Sequence, residues 1–244
     1  MKELQKSLGW QYWQKTNFSA AGLGSLPEVR IRPAEKFKID PSCEPISLPD
    51  PKPEEGETNL WEVLGKRRSE RRFSGEEILS LRTVSKLLWA AQGTTSYRGE
   101  IPLRTAPSAG ALYPVETYVF ALRVEGLSAG VYHLNVKDFC LERHRELDGK
   151  TDLAGAAMGQ RFVGRAPLVF AFTGIFRRNM HKYGHRGLRY ILLDAGHICQ
   201  NLVLGATALE LKSCPVAAFF DESMNELLGV DGEEEVVLYL IPVG

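Results

Sequence analysis

Four stretches of this 244-residue chain bring together side chains that could do chemistry. Lys66-Arg67-Arg68-Ser69-Glu70-Arg71-Arg72-Phe73 holds five cations and one anion in eight residues. Guanidinium groups grip phosphate through paired donors and a serine hydroxyl adds another, so the run reads as a phosphate cradle; a solvated charge run is its ordinary alternative. Ala106-Pro107-Ser108-Ala109-Gly110-Ala111-Leu112-Tyr113-Pro114 is poor in bulk, and such a loop lets a flat ligand approach the backbone closely. Between Arg177 and Tyr190 lie cations, imidazoles and phenols. There Lys182 beside Tyr183 offers a proton donor and acceptor, provided burial or neighbouring charge moves their pKa values toward neutrality. Finally, Cys214-Pro215-Val216-Ala217-Ala218 follows a cysteine and a proline with small residues, a second backbone for a planar ring to lie against. Cys214 itself reads as buried and structural rather than nucleophilic, because no histidine is near it in sequence.

Other chemistries are excluded. His181 and His185 lie four apart, but without the glutamate of HExxH or a third ligand they do not make a zinc site, and no metal is expected. Gly184-His185-Arg186-Gly187 fits the GxxG of an RNA-binding loop with the wrong flanks. Gly22-Leu23-Gly24 lacks the third glycine of a dinucleotide fingerprint, Gly65-Lys66 lacks the Ser or Thr of a phosphate-binding loop, and there is no GxSxG. Thirty basic residues balance thirty acidic ones, which removes any global field for nucleic acid or anionic lipid. A nucleic-acid-binding module built on segment 66–72 is thus the alternative from another class, not the leading reading. No apolar run approaches the roughly 18 residues of a membrane helix, and no apolar signal region follows the first residues. Cys43, Cys140, Cys199 and Cys214 are scattered, as free thiols in a reducing compartment would be. A cytoplasmic protein, away from membrane, is expected.

The elements that must position these stretches can be read from periodicity. Residues 1–57 carry seven of the thirteen prolines together with Trp10, Tyr12, Trp13, Phe18 and Phe37. Proline fixes φ and removes amide donors, so an extended arm ordered by its aromatics is predicted, with 58–244 as the main domain. A helix starts at Asn59 with Glu62 completing a capping box and Gly65 ending it. Ser74-Gly75-Glu76-Glu77 caps another, with Ile78, Leu81, Val84, Leu88 and Ala91 on one face and Gly93 as its stop. Strands are predicted at 115–122, 131–134, 139–144, 167–173 and 236–243, and helices at 188–211 and 222–228. Helices and strands mix without a repeating βα unit, so the class is α+β with a central, largely antiparallel sheet flanked by helices.

Taken in order, these segments resemble the nitroreductase-like FMN flavoproteins, and within them the SagB-type dehydrogenase branch that includes azoline-oxidising enzymes. Arg67 to Phe73 is similar to that family's RRSxRxF segment, Pro107 to Pro114 to its PSAGALYP segment, and Lys182-Tyr183-Gly184 with Arg186-Gly187 and Arg189-Tyr190 to its KYGxRGxRY stretch. Asp194-Ala195-Gly196-His197 and Gln200-Asn201-Leu202 resemble the helix that follows, and Tyr12–Phe18 with Pro41–Pro53 the branch's leader. The resemblance implies an FMN-dependent oxidoreductase that is a homodimer with flavin at the subunit interface. It implies that Arg67, Arg68, Ser69 and Arg71 hold ribityl and phosphate. Pro107, Ser108, Ala109, Gly110 and Leu112 would line the flavin from the other subunit, and Ala217 and Ala218 would set backbone amides near the ring's reactive nitrogen. Lys182 and Tyr183 match the pair that azoline-oxidising members use to remove a proton, with the lysine lowering the tyrosine's pKa. The substrate is then a small molecule or peptide. An NAD(P)H-dependent nitro or quinone reductase, with NAD(P)H as electron donor, is the alternative within enzymes. Many nitroreductases place basic residues near the C-terminus on the phosphate; here Ile241-Pro242-Val243-Gly244 offers none, and Arg186 or Arg189 is the expected substitute.

Overall fold

The computed structural model describes residues 6, 8–16, 30–51, 59–148 and 151–244. Phe18, Gly22–Gly24 and Pro53, which the sequence reading singled out, lie outside the described residues. A six-stranded sheet forms the centre, in the order β1 (Pro45–Ser47), β6 (Cys140–Glu146), β5 (Gly130–Asn135), β4 (Val115–Ala121), β7 (Leu168–Ile175), β8 (Glu235–Val243). Every pairing within it is antiparallel. This is the α+β architecture expected. A separate hairpin pairs β2 (Thr94–Arg98) with β3 (Ile101–Arg104).

Period-two alternation sorts the strand side chains into two cores. Leu168, Phe170 and Phe172 of β7 face one side and meet Val84, Leu87, Leu88 and Ala91 of α3 (Leu81–Gln92) and the buried stripe of α7 (Gly187–Ala208). That stripe, Ile191, Ala195, Ile198, Leu202 and Ala206, recurs at the three- and four-residue spacing of one helix face. Val169 and Ala171 face the other side, against Phe73, Val163 and Met224. Val163 belongs to α5 (Arg161–Arg165) and Met224 to α8 (Asp221–Leu228), and Leu153 and Ala156 of α4 (Leu153–Ala156) join the same core. Both faces being covered, β4 is buried at every position. Each large apolar side chain so enclosed stabilises the fold by about 2 kcal/mol.

Two predicted boundaries move. α2 (Leu60–Lys66) is capped by Asn59, whose side chain accepts from Trp61 N, while Glu62 pairs with Lys66 instead of closing a capping box. Gly65 does not end it; the helix runs to Lys66. The next helix starts at Leu81 with Ser80 as its cap, not at Ser74. Ser74 N does donate to the Glu77 carboxylate and Glu76 N to Ser74 Oγ, but Leu79 pairs with the Val124 segment through its backbone, which pulls 75–80 out of the helix.

The N-terminal region is not extended throughout: Leu8–Lys15 forms helix α1. Pro45–Ser47, by contrast, is a strand, as proline's fixed φ allows at an edge. β8, at the opposite edge, is met by a non-helical segment: Ser213 bridges Val243 and Val216 bridges Leu240. No helix among the described residues is long and apolar enough to cross a membrane.

Candidate active site

The four stretches form two clusters. In the first, the backbone of the cationic run lies beside the Cys214 segment: Ser69 bridges Ser213, and Glu70 N donates to Ser213 O at 2.9 Å. Arg68, Ser69 and Arg71 are exposed and Arg67 is half-buried. No ion pair ties down Arg67 or Arg71 among the described residues. Arg71 stands 5.8 Å from the Phe162 ring of α5. Ala217 and Ala218 are exposed, and Gln160 supports their turn by donating to Ala218 O at 2.8 Å. Gln160, a link between α5 and this turn, was not found from sequence; nothing in its neighbourhood marks it as different from a loop residue. Cys214 is buried and burial pushes its thiol pKa up, which fits a structural role.

The second cluster joins the small-residue loop to α6 (Arg177–Tyr183). Gly110 has φ of +66°, and Ala111 and Tyr113 also have positive φ, at +52° and +45°. Two non-glycine residues in the left-handed region within one short turn store strain that the surroundings must hold. Gly110 presses so closely on α6 that a Cβ there would come within 2.6 Å of Tyr183 Oη and 3.0 Å of Lys182 Nζ. Lys182 Nζ lies 5.3 Å from the Tyr183 ring, and Tyr190 meets that ring edge-on at 5.0 Å. Ser108 Oγ accepts from Tyr113 N at 2.9 Å and donates to Asp194 of α7 at 2.5 Å. Burial raises the Asp194 pKa, and the Ser108 hydrogen bond works against that rise. The serine expected to line a ligand therefore also folds its own loop. Pro107 and Gly110 are exposed, and Ala109 and Leu112 are half-buried.

Below the loop lies a buried polar network that the sequence reading missed. Arg104 stacks on the Tyr113 ring at 4.2 Å and donates to Gln92 at 3.0 Å. Burial lowers its pKa to about 10. Arg178 of α6 donates to Glu116 of β4, to Tyr113 O at 3.2 Å and to Glu35 O at 2.5 Å. His133 of β5 bridges Glu116 at 2.9 Å and Glu142 at 3.2 Å. Burial pushes the Glu116 carboxyl up, but the Arg178 charge, the His133 hydrogen bond and charge, and Arg104 outweigh it and bring it to about 2. Burial likewise pulls His133 down, and its two carboxylates outweigh that, raising it above the usual imidazole value. One signal was available: an acid and a histidine, each set inside an apolar strand.

Arg186 and Arg189, the expected phosphate substitutes, are engaged elsewhere. Arg186 donates to Tyr190 Oη at 2.9 Å and to Thr16 O at 2.6 Å. Arg189 donates to Trp13 O and lies 3.7 Å from the Trp13 ring. With Tyr12 Oη donating to His185 O at 3.0 Å, they fasten α1 over the start of α7. Three cationic side chains and a hydroxyl at one surface fit the donor set that an FMN phosphate needs, whereas the Cα of Gly110 is already covered by Tyr183 and Lys182.

An antiparallel sheet covered on both faces, with a cationic run packed on the Cys214 segment and a strained small-residue loop packed on α6, is the framework that carries the site. Residues 64–244 match the Nitroreductase family. The chain belongs to that family. It is 41% identical over 204 residues to protein MJ1384 of Methanocaldococcus jannaschii, covering 82% of this chain and 95% of that one. It is 30% identical over 164 residues to the microcin B17-processing protein McbC of Escherichia coli, covering 65% of this chain and 60% of McbC. Among solved structures, the Escherichia coli microcin synthetase McbBCD complex with truncated pro-MccB17 bound contains a chain similar at a TM-score of 0.63 and 26% identity. That match covers 96% of this chain and 85% of the other. These likenesses support the SagB-type branch within the family.

Proposed function

We propose that the protein is an FMN-dependent oxidoreductase of the SagB type, moving a hydride between a small-molecule or peptide substrate and flavin in the cytoplasm. The family match supports oxidoreductase chemistry, and the likeness to a microcin-processing protein supports a peptide substrate. The observation that carries the reading is the exposed run Arg68-Ser69-Glu70-Arg71 lying against the Cys214 segment, with Gly110 pressed on Tyr183 and Lys182 in a second cluster.

In this reading Arg67, Arg68, Ser69 and Arg71 hold the phosphate and ribityl chain, since a dianion needs fixed cations and directed donors. Pro107, Ser108, Ala109, Gly110 and Leu112 line the ring from the partner subunit, and Ala217 and Ala218 offer amides to it. When bound, FMN supplies the hydride acceptor that amino-acid side chains lack. Tyr183, as a phenolate beside the Lys182 ammonium, takes the proton that leaves the substrate carbon and becomes a neutral phenol. A second copy is supported by exposed apolar side chains on two helices, Leu192 and Leu193 on α7 and Leu60 and Trp61 on α2.

The test is the absorbance spectrum of the purified protein, followed by identification of the released cofactor. Bound FMN with oxidation of a thiazoline-containing peptide by dioxygen is expected. Colourless protein that takes up no FMN on incubation would overturn the reading. FMN-loaded protein that instead oxidises NAD(P)H with a nitroaromatic would favour the second reading, which the match to the Nitroreductase family also supports.

A further inference from the structure

Arg178 is the meeting point of three segments far apart in sequence. It sits one helical turn before Lys182 on α6, and its guanidinium is 3% exposed. From there it reaches the carbonyl of Tyr113 at the end of the small-residue loop, the carboxylate of Glu116 where that loop enters β4, and the carbonyl of Glu35 in the N-terminal region. Glu116 is held from behind by His133, and His133 by Glu142. Glu142 in turn accepts from Asn135 at 2.9 Å and from Asp40 N at 3.2 Å. The anchor is therefore built into the sheet and cannot swing.

We infer that Arg178 is a positioning residue, which rests on the reading of Lys182 and Tyr183 given above: it fixes the distance between the Gly110 turn and the Lys182–Tyr183 pair. Burying an ion pair is a weak way to gain stability, because desolvation takes back much of the Coulomb attraction. What a guanidinium adds is direction, since its planar fork can serve several acceptors at fixed angles. Here the acceptors belong to the loop and its strand, while the donor belongs to the helix that carries the pair. The turn itself is strained, with positive φ at Gly110, Ala111 and Tyr113, and so requires an external hold. Ser108 with Asp194 holds one end of the loop, and Arg178 with Tyr113 and Glu116 holds the other. Without Arg178, the loop end is free to relax away from α6, and the contact between Gly110 and Tyr183 opens.

The test is the nuclear Overhauser effect between the Gly110 α-protons and the Tyr183 ring protons, in glycine- and tyrosine-labelled protein purified with whatever cofactor it carries. The Tyr183 signals are assigned with Tyr183→Phe. The cross-peak is expected in the wild type and is expected to be lost in Arg178→Met, while the near-ultraviolet circular dichroism stays that of folded protein. Arg178→Lys keeps a charge opposite Glu116 but cannot serve Tyr113 O and Glu35 O together, so it is expected to weaken the cross-peak severalfold. If Arg178→Met does not fold, the lysine variant decides. A cross-peak of wild-type intensity in either folded variant would overturn the inference. This measurement does not depend on turnover: a lost cross-peak in a protein whose Tyr183→Phe variant is fully active would leave the clip standing and remove the proposed chemistry.

Discussion

Replacing Glu116 by glutamine tests the buried network most directly, because the two side chains are nearly isosteric and differ in charge. Glu116 is 4% exposed and its carboxyl is held at about 2 instead of 4.5. That displacement corresponds to about 3 kcal/mol of folding stability at neutral pH. Removing one partner of a buried ion pair costs about 3–5 kcal/mol by comparison with other proteins, so the two figures agree. The amide leaves Arg178 without its anion and His133 with one carboxylate instead of two. Because the folded-state pKa is depressed, the contribution of Glu116 is complete above pH 4.5 and disappears as pH falls toward about 2. His133 behaves in the opposite sense: its raised pKa adds stability below pH 6.5 that is lost as pH climbs through the folded value. Urea unfolding of wild type and Glu116→Gln should therefore differ by about 3 kcal/mol at pH 7, with the gap closing steadily below pH 4.5 as the wild-type carboxyl is protonated. Carboxylates outside the Glu116–His133–Glu142 network contribute equally to both proteins and cancel in the difference. A gap smaller than about 1 kcal/mol at pH 7, or one that does not change between pH 5 and pH 3, would refute the reasoning.

Further outcomes are expected at the site and the thiols. Arg67→Ala and Arg71→Ala should each lower the flavin content of purified protein, measured by absorbance after release; unchanged occupancy in both would remove the phosphate assignment. Tyr183→Phe should keep wild-type flavin content while losing about 10²-fold or more in turnover of a thiazoline peptide, the typical share of a positioned acid–base group. Cys43 is partly accessible, whereas Cys140, Cys199 and Cys214 are buried and burial lifts the Cys199 pKa to about 12. A thiol reagent should accordingly titrate one cysteine in native protein and four after denaturation.

The strands and α7 were legible because their apolar residues recur at the period of the element that buries them, as in Ile191, Ala195, Ile198 and Leu202. Local capping signals were less informative. Ser74 and Glu77 form the hydrogen bonds of a helix start, yet the helix waits for Ser80 because Leu79 is claimed by a strand-like pairing with Val124. That competitor lies 45 residues away and cannot be read from a window. α1 was missed because the prolines from Pro27 onward dominated the reading of the first 57 residues. At the site, residue type marked the cationic run and the small-residue loop, but their arrangement in two clusters came only with the fold. Arg186 and Arg189 looked like free cations and turned out to fasten α1. The polar network was hidden for the same reason: Glu116 alternates with apolar neighbours as a solvent-facing residue would, and only a sheet covered on both sides makes that position interior.

The two margins of the central sheet have a consequence for how copies of this chain can meet. One margin is a strand of three residues, β1, and the other, β8, carries Pro242 and is crossed by the backbone of Ser213 and Val216. Neither offers the long, flat row of unpaired amides on which a foreign strand could template itself. A second copy would thus find no template at either margin of this sheet, and the open-ended stacking that ends in fibres is disfavoured there.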